Sequence, residues 1–329
     1  MAKLAFLFPG QGAQDVGMGR ELAGLGGAVG DIFHMVDRVV GFSLTRLMFE
    51  GPKEKLTWTE NAQPALVTTA LAAMQCLTER TGLVPDYVAG HSLGEYAAIA
   101  AAGGFSTEDA IRLVRLRGQS MREAVAPGKG AMAAMMNMEC DVVEEVCRQA
   151  AQETGGVCVP ANYNTSAQIV ISGHKEAVDR ALELAKAKGA RRCVALAVAA
   201  PFHCPLMEPA ARVMEKALAE TRMHDLRIPL IANVTGEEVR HADDVRHLLV
   251  EQVTAPVRWQ ESMEHLVELG VDTFIELGTG RVLSGMMKRI AAEARVMAVN
   301  VPEDADAILD DSVLMGSHRL VANAGRASV

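Results

Sequence analysis

The chain has 329 residues, of which 50% are hydrophobic and 22% are charged, and its formal net charge is −9 at pH 7. This length can hold one large domain or two with an ample core. The acidic balance excludes a nucleic-acid-binding protein that relies on a basic surface, so we expect no nucleic-acid partner.

The six cysteines are scattered without C-x-x-C or paired spacing, and the nine histidines lack zinc-ligand spacing. We therefore predict free thiols in a reducing compartment and no metal site. The apolar run at residues 4–8 is too short for a signal peptide, and no run approaches the roughly 18 residues of a membrane helix. These features indicate a cytoplasmic protein with no membrane partner.

The first predicted element is a buried strand at residues 4–8, which Pro9 and Gly10 end. A glycine-containing loop at 10–14 follows, at the carboxyl end of the strand, where open α/β sheets hold their ligands. The loop superficially resembles a dinucleotide-binding turn. A third glycine and a later acidic residue do not fall into place, so we do not expect NAD binding.

Several helices follow over residues 17–80, including an apolar-rich helix at 62–79. The next unit is a short strand at 87–89, the turn GHSLG at 90–94 and an alanine-rich helix at 95–102. A Gly-x-Ser-x-Gly turn between a strand and a helix is the nucleophile-elbow pattern. It places Ser92 at a helix N-terminus, where backbone N–H groups stabilise a developing oxyanion. The alternative is an ordinary junction with a capping serine.

Gly90 and Gly94, at the two ends of the GHSLG turn, are needed for a physical reason. A side chain at either position would crowd the helix against the strand. A further helix is predicted over 107–126, capped by Ser106 or Thr107 and acidic in its first turn. It carries four arginines, most of which we expect to be solvated. Arg117 borders the more apolar side of this helix.

Residues 128–198 have a different order of predicted elements. Strands at 131–138, 157–161, 168–172 and 192–198 alternate with helices at 141–154 and 175–188. This is the β-α-β-β-α-β order of ferredoxin-like folds. We therefore predict a small ferredoxin-like α+β subdomain over 128–198, inserted into a large α/β subdomain formed by 1–127 and 199–302.

The large subdomain resumes after this insert. Helices are predicted at 205–222, 242–253, 259–269 and 281–291, with strands at 228–232, 273–277 and 296–299. From residue 303 the pattern stops, first in an acidic run and then in small polar residues. We therefore predict a mobile tail over 303–329.

A serine nucleophile needs a base, which is most often a histidine. His91 adjoins Ser92, but neighbours along a tight turn point apart. His203 follows a strand-like run and precedes a helix at the seam between the two predicted subdomains, so it can overhang a cleft; the alternative is a helix-capping histidine. No acidic residue between Ser92 and His203 stands out as a third member, so we expect something other than a carboxylate to orient the base.

Seven segments carry a resemblance to a known family. They are FPGQGAQ at 8–14, GHSLGE at 90–95, RGQSM at 117–121, ANYNTSAQIVISG at 161–173, PFHCPLM at 201–207, QVTAPVRW at 252–259 and ELGTG at 276–280. In these segments the chain resembles the malonyl-CoA:acyl carrier protein transacylases and the related acyltransferase domains of fatty-acid and polyketide synthases. The resemblance implies an α/β-hydrolase-like core with a parallel sheet and an inserted ferredoxin-like subdomain.

The resemblance also implies catalytic roles. Ser92 is then the nucleophile that carries the acyl group as an ester, and His203 is the general base and later the general acid. The backbone N–H groups of Gln11 and Leu93 bind the oxyanion. The backbone carbonyl of Gln252 orients the histidine, which accounts for the missing third acid.

Substrate-binding roles are implied in the same way. Arg117 holds the free carboxylate of malonyl through its planar guanidinium. Phe202 crowds a branch at the malonyl α-carbon, unless it is plain core packing. Met121 lines the acyl pocket, unless it too is core.

The implied reaction is ping-pong and needs no cofactor: malonyl passes from CoA to Ser92 and then to the phosphopantetheine thiol of an acyl carrier protein. Because carrier proteins are acidic, as this chain is, we expect a local basic patch. Its candidate residues are Lys129, Lys188, Arg191 and Arg192. We expect a monomer. The alternatives are transfer of another acyl group such as methylmalonyl or acetyl, a serine esterase or thioesterase, and a carrier-binding module without catalysis.

Overall fold

The computed structural model describes residues 2–198 and 200–320. Its strands are β1 (Lys3–Phe8), β2 (Tyr87–Gly90), β3 (Gly130–Met136), β4 (Cys158–Thr165), β5 (Gln168–His174), β6 (Arg192–Ala195), β7 (Leu230–Ile231), β8 (Glu238–Val239), β9 (Val271–Leu277) and β10 (Arg295–Val299).

Fifteen helices lie between or after these strands in the described part of the chain. They are α1 (Arg20–Gly24), α2 (Gly27–Val40), α3 (Leu44–Glu50), α4 (Lys53–Thr57), α5 (Thr59–Thr81), α6 (Gly94–Ala101), α7 (Thr107–Glu123), α8 (Cys140–Thr154), α9 (Lys175–Ala187), α10 (Glu208–Glu220), α11 (Ala242–Gln252), α12 (Trp259–Glu268), α13 (Val282–Ile290), α14 (Pro302–Leu309) and α15 (Ser312–Ser317). A 3-10 turn, Pro205–Met207, precedes α10.

The larger sheet has six strands in the order β10-β9-β1-β2-β7-β8, and every pair is parallel except β7 with β8. β1 lies in the middle and is apolar from Leu4 to Phe8 because helices cover both faces of the sheet. The register pairs Phe8 with Gly90. The loops after β1 and β2 therefore meet at the carboxyl edge of the sheet.

The smaller sheet has four antiparallel strands in the order β4-β5-β3-β6. α8 and α9 pack on this sheet around a separate apolar core. Both the element order and the strand order are those of a ferredoxin-like fold. The mixed α/β architecture predicted from the sequence is confirmed.

The helices that position the site follow sequence signals closely. Ser106 caps α7 by accepting a hydrogen bond from the Asp109 N–H at 3.0 Å. α5 begins at Thr59, three residues earlier than predicted, so Gln63 lies inside its first turns and is 1% exposed. No helix in the described part of the chain is long and apolar enough to cross a bilayer.

The prediction of a mobile tail is wrong for residues 303–320. Ala305 and Ile308 of α14 are buried three residues apart on one helix face, and Leu314 of α15 is fully buried. An ion pair between Arg80 and Asp306 fastens α14 to α5. The many acidic side chains in this segment made the amphipathic pattern of a short helix hard to detect in the sequence. Residues 321–329 lie outside the described residues.

Candidate active site

The turn between β2 and α6 holds Ser92 in a left-handed conformation, with φ at +52°. A Cβ at Gly90 would lie 2.1 Å from the carbonyl group of Gly94, and one at Gly94 would lie 2.1 Å from the carbonyl oxygen of Phe8. Strand, turn and helix thus approach so closely that only glycine fits at both positions. This is the elbow geometry that the sequence pattern predicted.

The hydroxyl of Ser92 meets an imidazole from a distant part of the chain. The distance from Ser92 Oγ to His203 Nε2 is 2.7 Å, and His203 Nδ1 lies 2.8 Å from the backbone carbonyl oxygen of Gln252. A carbonyl oxygen only accepts, so Nδ1 carries the proton. Nε2 is then the acceptor for the Ser92 O–H, which is the arrangement that a general base requires.

The charge state of His203 agrees with this tautomer. Burial, followed by the positive charge of Arg117, lowers the pKa of His203 to about 3. The imidazole is therefore neutral near pH 7 and free to accept a proton.

His91 is turned away from the hydroxyl. Its Nε2 lies 2.8 Å from Asn164 Oδ1 on β4, and its ring packs on Trp259 with centroids 5.4 Å apart. It therefore contacts the small sheet.

Arg117 is on the buried face of α7 and is only 1% exposed. Its Nη1 donates to Gln63 Oε1 at 3.0 Å, and its Nη2 donates to Gln252 Oε1 at 2.9 Å and to Ser92 Oγ at 3.2 Å. Its Nε has no hydrogen-bond partner among the described residues. A cationic group with unused donor capacity thus borders the serine hydroxyl.

Two backbone N–H groups beside Ser92 are free to bind an anion. Within residues 2–198 and 200–320, neither the Gln11 N–H nor the Leu93 N–H donates a hydrogen bond. The Ser92 N–H, by contrast, donates to Asn233 Oδ1 at 2.7 Å. The first two donors come from the loop after β1 and the start of α6, which β1–β2 pairing brings together.

A cavity of about 150 Å³ lies over these groups, between the large sheet and the small one. Residues lining it include Gln11, Ser92, Met132, Asn162, Phe202 and His203. Met132 and Asn162 belong to β3 and β4, so both sheets contribute to the cavity. Phe202 is 8% exposed and faces this space.

Met121, which the resemblance implied as an acyl-pocket residue, lies on α7 beside Gln63. Met121 is fully buried and is not among the residues that line the described cavity. Its sulfur accepts a weak hydrogen bond from Gln63 Nε2 at 3.8 Å. Because Gln63 also holds Arg117, Met121 lies behind the guanidinium. The candidate basic residues Lys129, Lys188, Arg191 and Arg192 are all exposed.

Sequence reasoning missed four buried polar residues at this site. They are Gln63, Glu95, Asn162 and Asn233. Asn233 follows β7 at the carboxyl edge of the parallel sheet, a position that could have flagged it. Glu95 stood in a quoted motif but was interpreted only as the start of a helix. Asn162 also stood in a quoted segment, 161–173, but was not singled out, and no local signal distinguishes Gln63 from an ordinary polar residue.

Comparisons with known proteins show which family this chain is similar to. The family model described as "Acyl transferase domain" matches residues 5–304. A malonyl CoA-acyl carrier protein transacylase from Bacillus subtilis is 45% identical over 303 residues, which cover 92% of this chain and 95% of the relative.

Solved structures give the same result. The malonyl CoA-acyl carrier protein transacylase from Coxiella burnetii superimposes with a TM-score of 0.91 at 39% identity, over 94% of this chain and 97% of that one. A malonyl transacylase in complex with a type II polyketide acyl carrier protein has a TM-score of 0.91 at 40% identity, over 94% of this chain and all of that one.

Proposed function

This chain belongs to the acyl transferase domain family, and we propose that it transfers a malonyl group from CoA to the phosphopantetheine thiol of an acyl carrier protein. One observation carries the proposal: the Ser92 hydroxyl lies within hydrogen-bond distance of both the His203 imidazole and the Arg117 guanidinium. The first contact suits acyl transfer, and the second suits an acyl group that ends in a carboxylate.

In the first half-reaction Ser92 Oγ attacks the thioester carbonyl carbon while His203 Nε2 takes the hydroxyl proton. The Gln11 and Leu93 N–H groups donate to the oxyanion of the tetrahedral intermediate. The intermediate collapses when the C–S bond breaks, and His203 returns the proton to the departing CoA sulfur. The product is a malonyl ester of Ser92.

The second half-reaction reverses the roles. The phosphopantetheine thiol gives its proton to His203, its sulfur attacks the ester carbonyl, and Ser92 leaves and regains the proton. Water must be kept from the same ester, and the small cavity between the two sheets serves that purpose. The chain's own side chains supply every proton transfer in this scheme.

An acyl carrier protein is the acceptor in this proposal. The relative that was solved with its carrier protein supports this choice. The exposed residues Lys129, Lys188, Arg191 and Arg192 are candidates for contact with an acidic carrier. We propose that the chain acts as a monomer.

Incubation of the purified protein with malonyl-, methylmalonyl- or acetyl-CoA, followed by intact-mass measurement, tests the proposal. We expect a stable malonyl adduct on Ser92, and its disappearance when a holo acyl carrier protein is added. Rapid release of free malonate would indicate a hydrolase instead. A dominant methylmalonyl or acetyl adduct would indicate a transferase for a different acyl group.

Phe202→Ser should increase labelling by methylmalonyl-CoA relative to malonyl-CoA by about tenfold to a hundredfold, because it removes bulk beside His203. Competitive labelling followed by intact mass measures the ratio. Phe33→Ser, at a residue that is 2% exposed and does not line the cavity, is the matched control for lost core packing. An unchanged ratio in folded Phe202→Ser protein would return Phe202 to a packing role.

A further inference from the structure

Glu95 is a buried carboxylate in the first turn of α6, three residues after Ser92, and it is 2% exposed. No lysine, arginine or histidine side chain in the described ranges forms a salt bridge with it. Instead, its Oε1 accepts a hydrogen bond from the Asn233 N–H at 3.0 Å, and its Oε2 accepts one from Gln252 Nε2 at 2.5 Å. A carboxylate isolated in this way is costly to bury, so the two amide contacts need an explanation.

Gln252, which donates to Glu95, contacts three residues of the proposed mechanism. Besides donating to Glu95, Gln252 Nε2 donates to the Ser92 carbonyl oxygen at 2.8 Å. Gln252 Oε1 accepts from Arg117, and its backbone carbonyl accepts from His203 Nδ1. Gln252 is 0% exposed. Its side-chain amide therefore joins the serine and the guanidinium, and its backbone carbonyl holds the imidazole, without contact with solvent.

The contact with Asn233 connects Glu95 to the turn at residues 90–94. The Asn233 side chain accepts from the Ser92 N–H at 2.7 Å and donates to the Gly90 carbonyl oxygen at 2.7 Å. These two bonds span the turn that holds Ser92 at a positive φ. By fixing the Asn233 backbone, Glu95 also supports the position of the nucleophile.

We propose that Glu95 is a positioning residue that fixes the amide orientation of Gln252, and thereby the placement of Arg117 and His203 around Ser92. The inference rests on the proposed function. An ionised carboxylate can only accept hydrogen bonds, so together with the Ser92 carbonyl oxygen it holds the Gln252 NH₂ group on its side and leaves Oε1 toward Arg117. A neutral group with a donor at that oxygen favours the flipped amide, which presents NH₂ to the guanidinium and loses the contact.

Glu95→Gln tests this most directly, because it keeps the shape and removes the second acceptor. We expect the ratio of malonyl to acetyl labelling to fall about tenfold or more, since one charge-assisted contact that orients Arg117 is lost. We expect kcat for malonyl transfer to fall as well. A purely structural role would lower thermal stability without changing the ratio.

Glu276→Gln is the matched control. Glu276 is a fully buried carboxylate on β9 of the larger sheet, and it accepts hydrogen bonds from Leu283 and Ser284 at the start of α13. It makes no hydrogen bond to Ser92, His203 or Arg117 in the described structure. Its neutralisation should lower stability and leave the malonyl-to-acetyl ratio unchanged.

The double variant Glu95→Gln with Gln252→Glu restores the contacts with Asn233 and Arg117 in exchanged form, and it loses the donor to the Ser92 carbonyl oxygen. The new amide accepts from Asn233 and donates to the new carboxylate, which in turn accepts from Arg117. We expect the double variant to regain much of the malonyl-to-acetyl ratio that Glu95→Gln loses. An unchanged ratio in folded Glu95→Gln protein would overturn the proposal.

The unmodified protein provides a measurement that does not depend on folding of the variants. Burial raises the pKa of Glu95 to about 7, against the opposing effect of its hydrogen bonds and of Arg117. Arg117 and Tyr96 are the charged and titratable groups that act on it directly, and His203 faces it across Gln252. The malonyl-to-acetyl ratio should rise between pH 5 and pH 9 as Glu95 ionises, and a flat ratio would contradict the proposal. If the unmodified protein formed no malonyl ester at all, the proposed function would fail before this question arose.

Discussion

Ser92→Ala should abolish formation of the acyl-enzyme and lower malonyl transfer by on the order of 10⁴- to 10⁶-fold, the loss that removal of a serine nucleophile causes in comparable enzymes. The physical reason is that Ser92 Oγ is the oxygen on which the His203 and Arg117 contacts converge. Intact-mass measurement after incubation with malonyl-CoA checks the adduct, and a thiol-release assay checks turnover.

Ser262→Ala serves as the matched control for Ser92→Ala. Ser262 is fully buried on α12, and its hydroxyl donates to the Arg258 carbonyl oxygen at 2.7 Å. This variant should form the adduct at the rate of the unmodified protein. A malonyl adduct on the folded Ser92→Ala protein would show that another residue is the nucleophile.

Arg117→Ala should reduce the preference for malonyl over acetyl by about 10²- to 10⁴-fold. The estimate counts two charge-assisted hydrogen bonds to the free carboxylate at about 1.5–3 kcal/mol each. Burial increases the effect, because water cannot take over the role of a guanidinium that is 1% exposed. Competitive labelling with malonyl- and acetyl-CoA measures the preference directly.

Two further variants separate charge from geometry. Arg117→Lys keeps the charge but loses the planar fork, so it should recover only part of the preference. Arg112→Ala, on the same helix, removes an arginine that pairs with Asp109 near the surface, and it should leave the preference intact. Unchanged malonyl selectivity in the folded Arg117→Ala protein would mean that the carboxylate is bound elsewhere.

A backbone carbonyl, that of Gln252, orients His203, and this affects the acid–base chemistry of the imidazole. A backbone carbonyl carries less negative charge than a carboxylate, so it stabilises the imidazolium less. This arrangement is sufficient for thioester chemistry, because a thiolate leaves more readily than an amine and needs less help from a general acid. The contact with Gln252 therefore fixes the tautomer more than it adds basicity.

Local patterns in the sequence determined the elements that carry the site. The spacing of Gly90, Ser92 and Gly94 between a strand and a helix predicted the elbow, because backbone sterics act over a few residues. Ser106 predicted the start of α7 for the same reason. The β-α-β-β-α-β rhythm predicted the small sheet, since hydrophobic periodicity reports which face of each element is buried.

Only the tertiary structure decided which polar groups meet. The contacts of Ser92 with His203 and of Gln252 with Glu95 join residues 111 and 157 positions apart. No local pattern encodes such pairs, because they depend on how the two sheets and their helices pack. The burial of α14 is a similar case, where two apolar residues among acidic ones matter only once α5 is beside them. The elements that depend on short-range sterics and hydrophobic periodicity can therefore be predicted from the sequence. The hydrogen-bond network of the site depends on long-range packing.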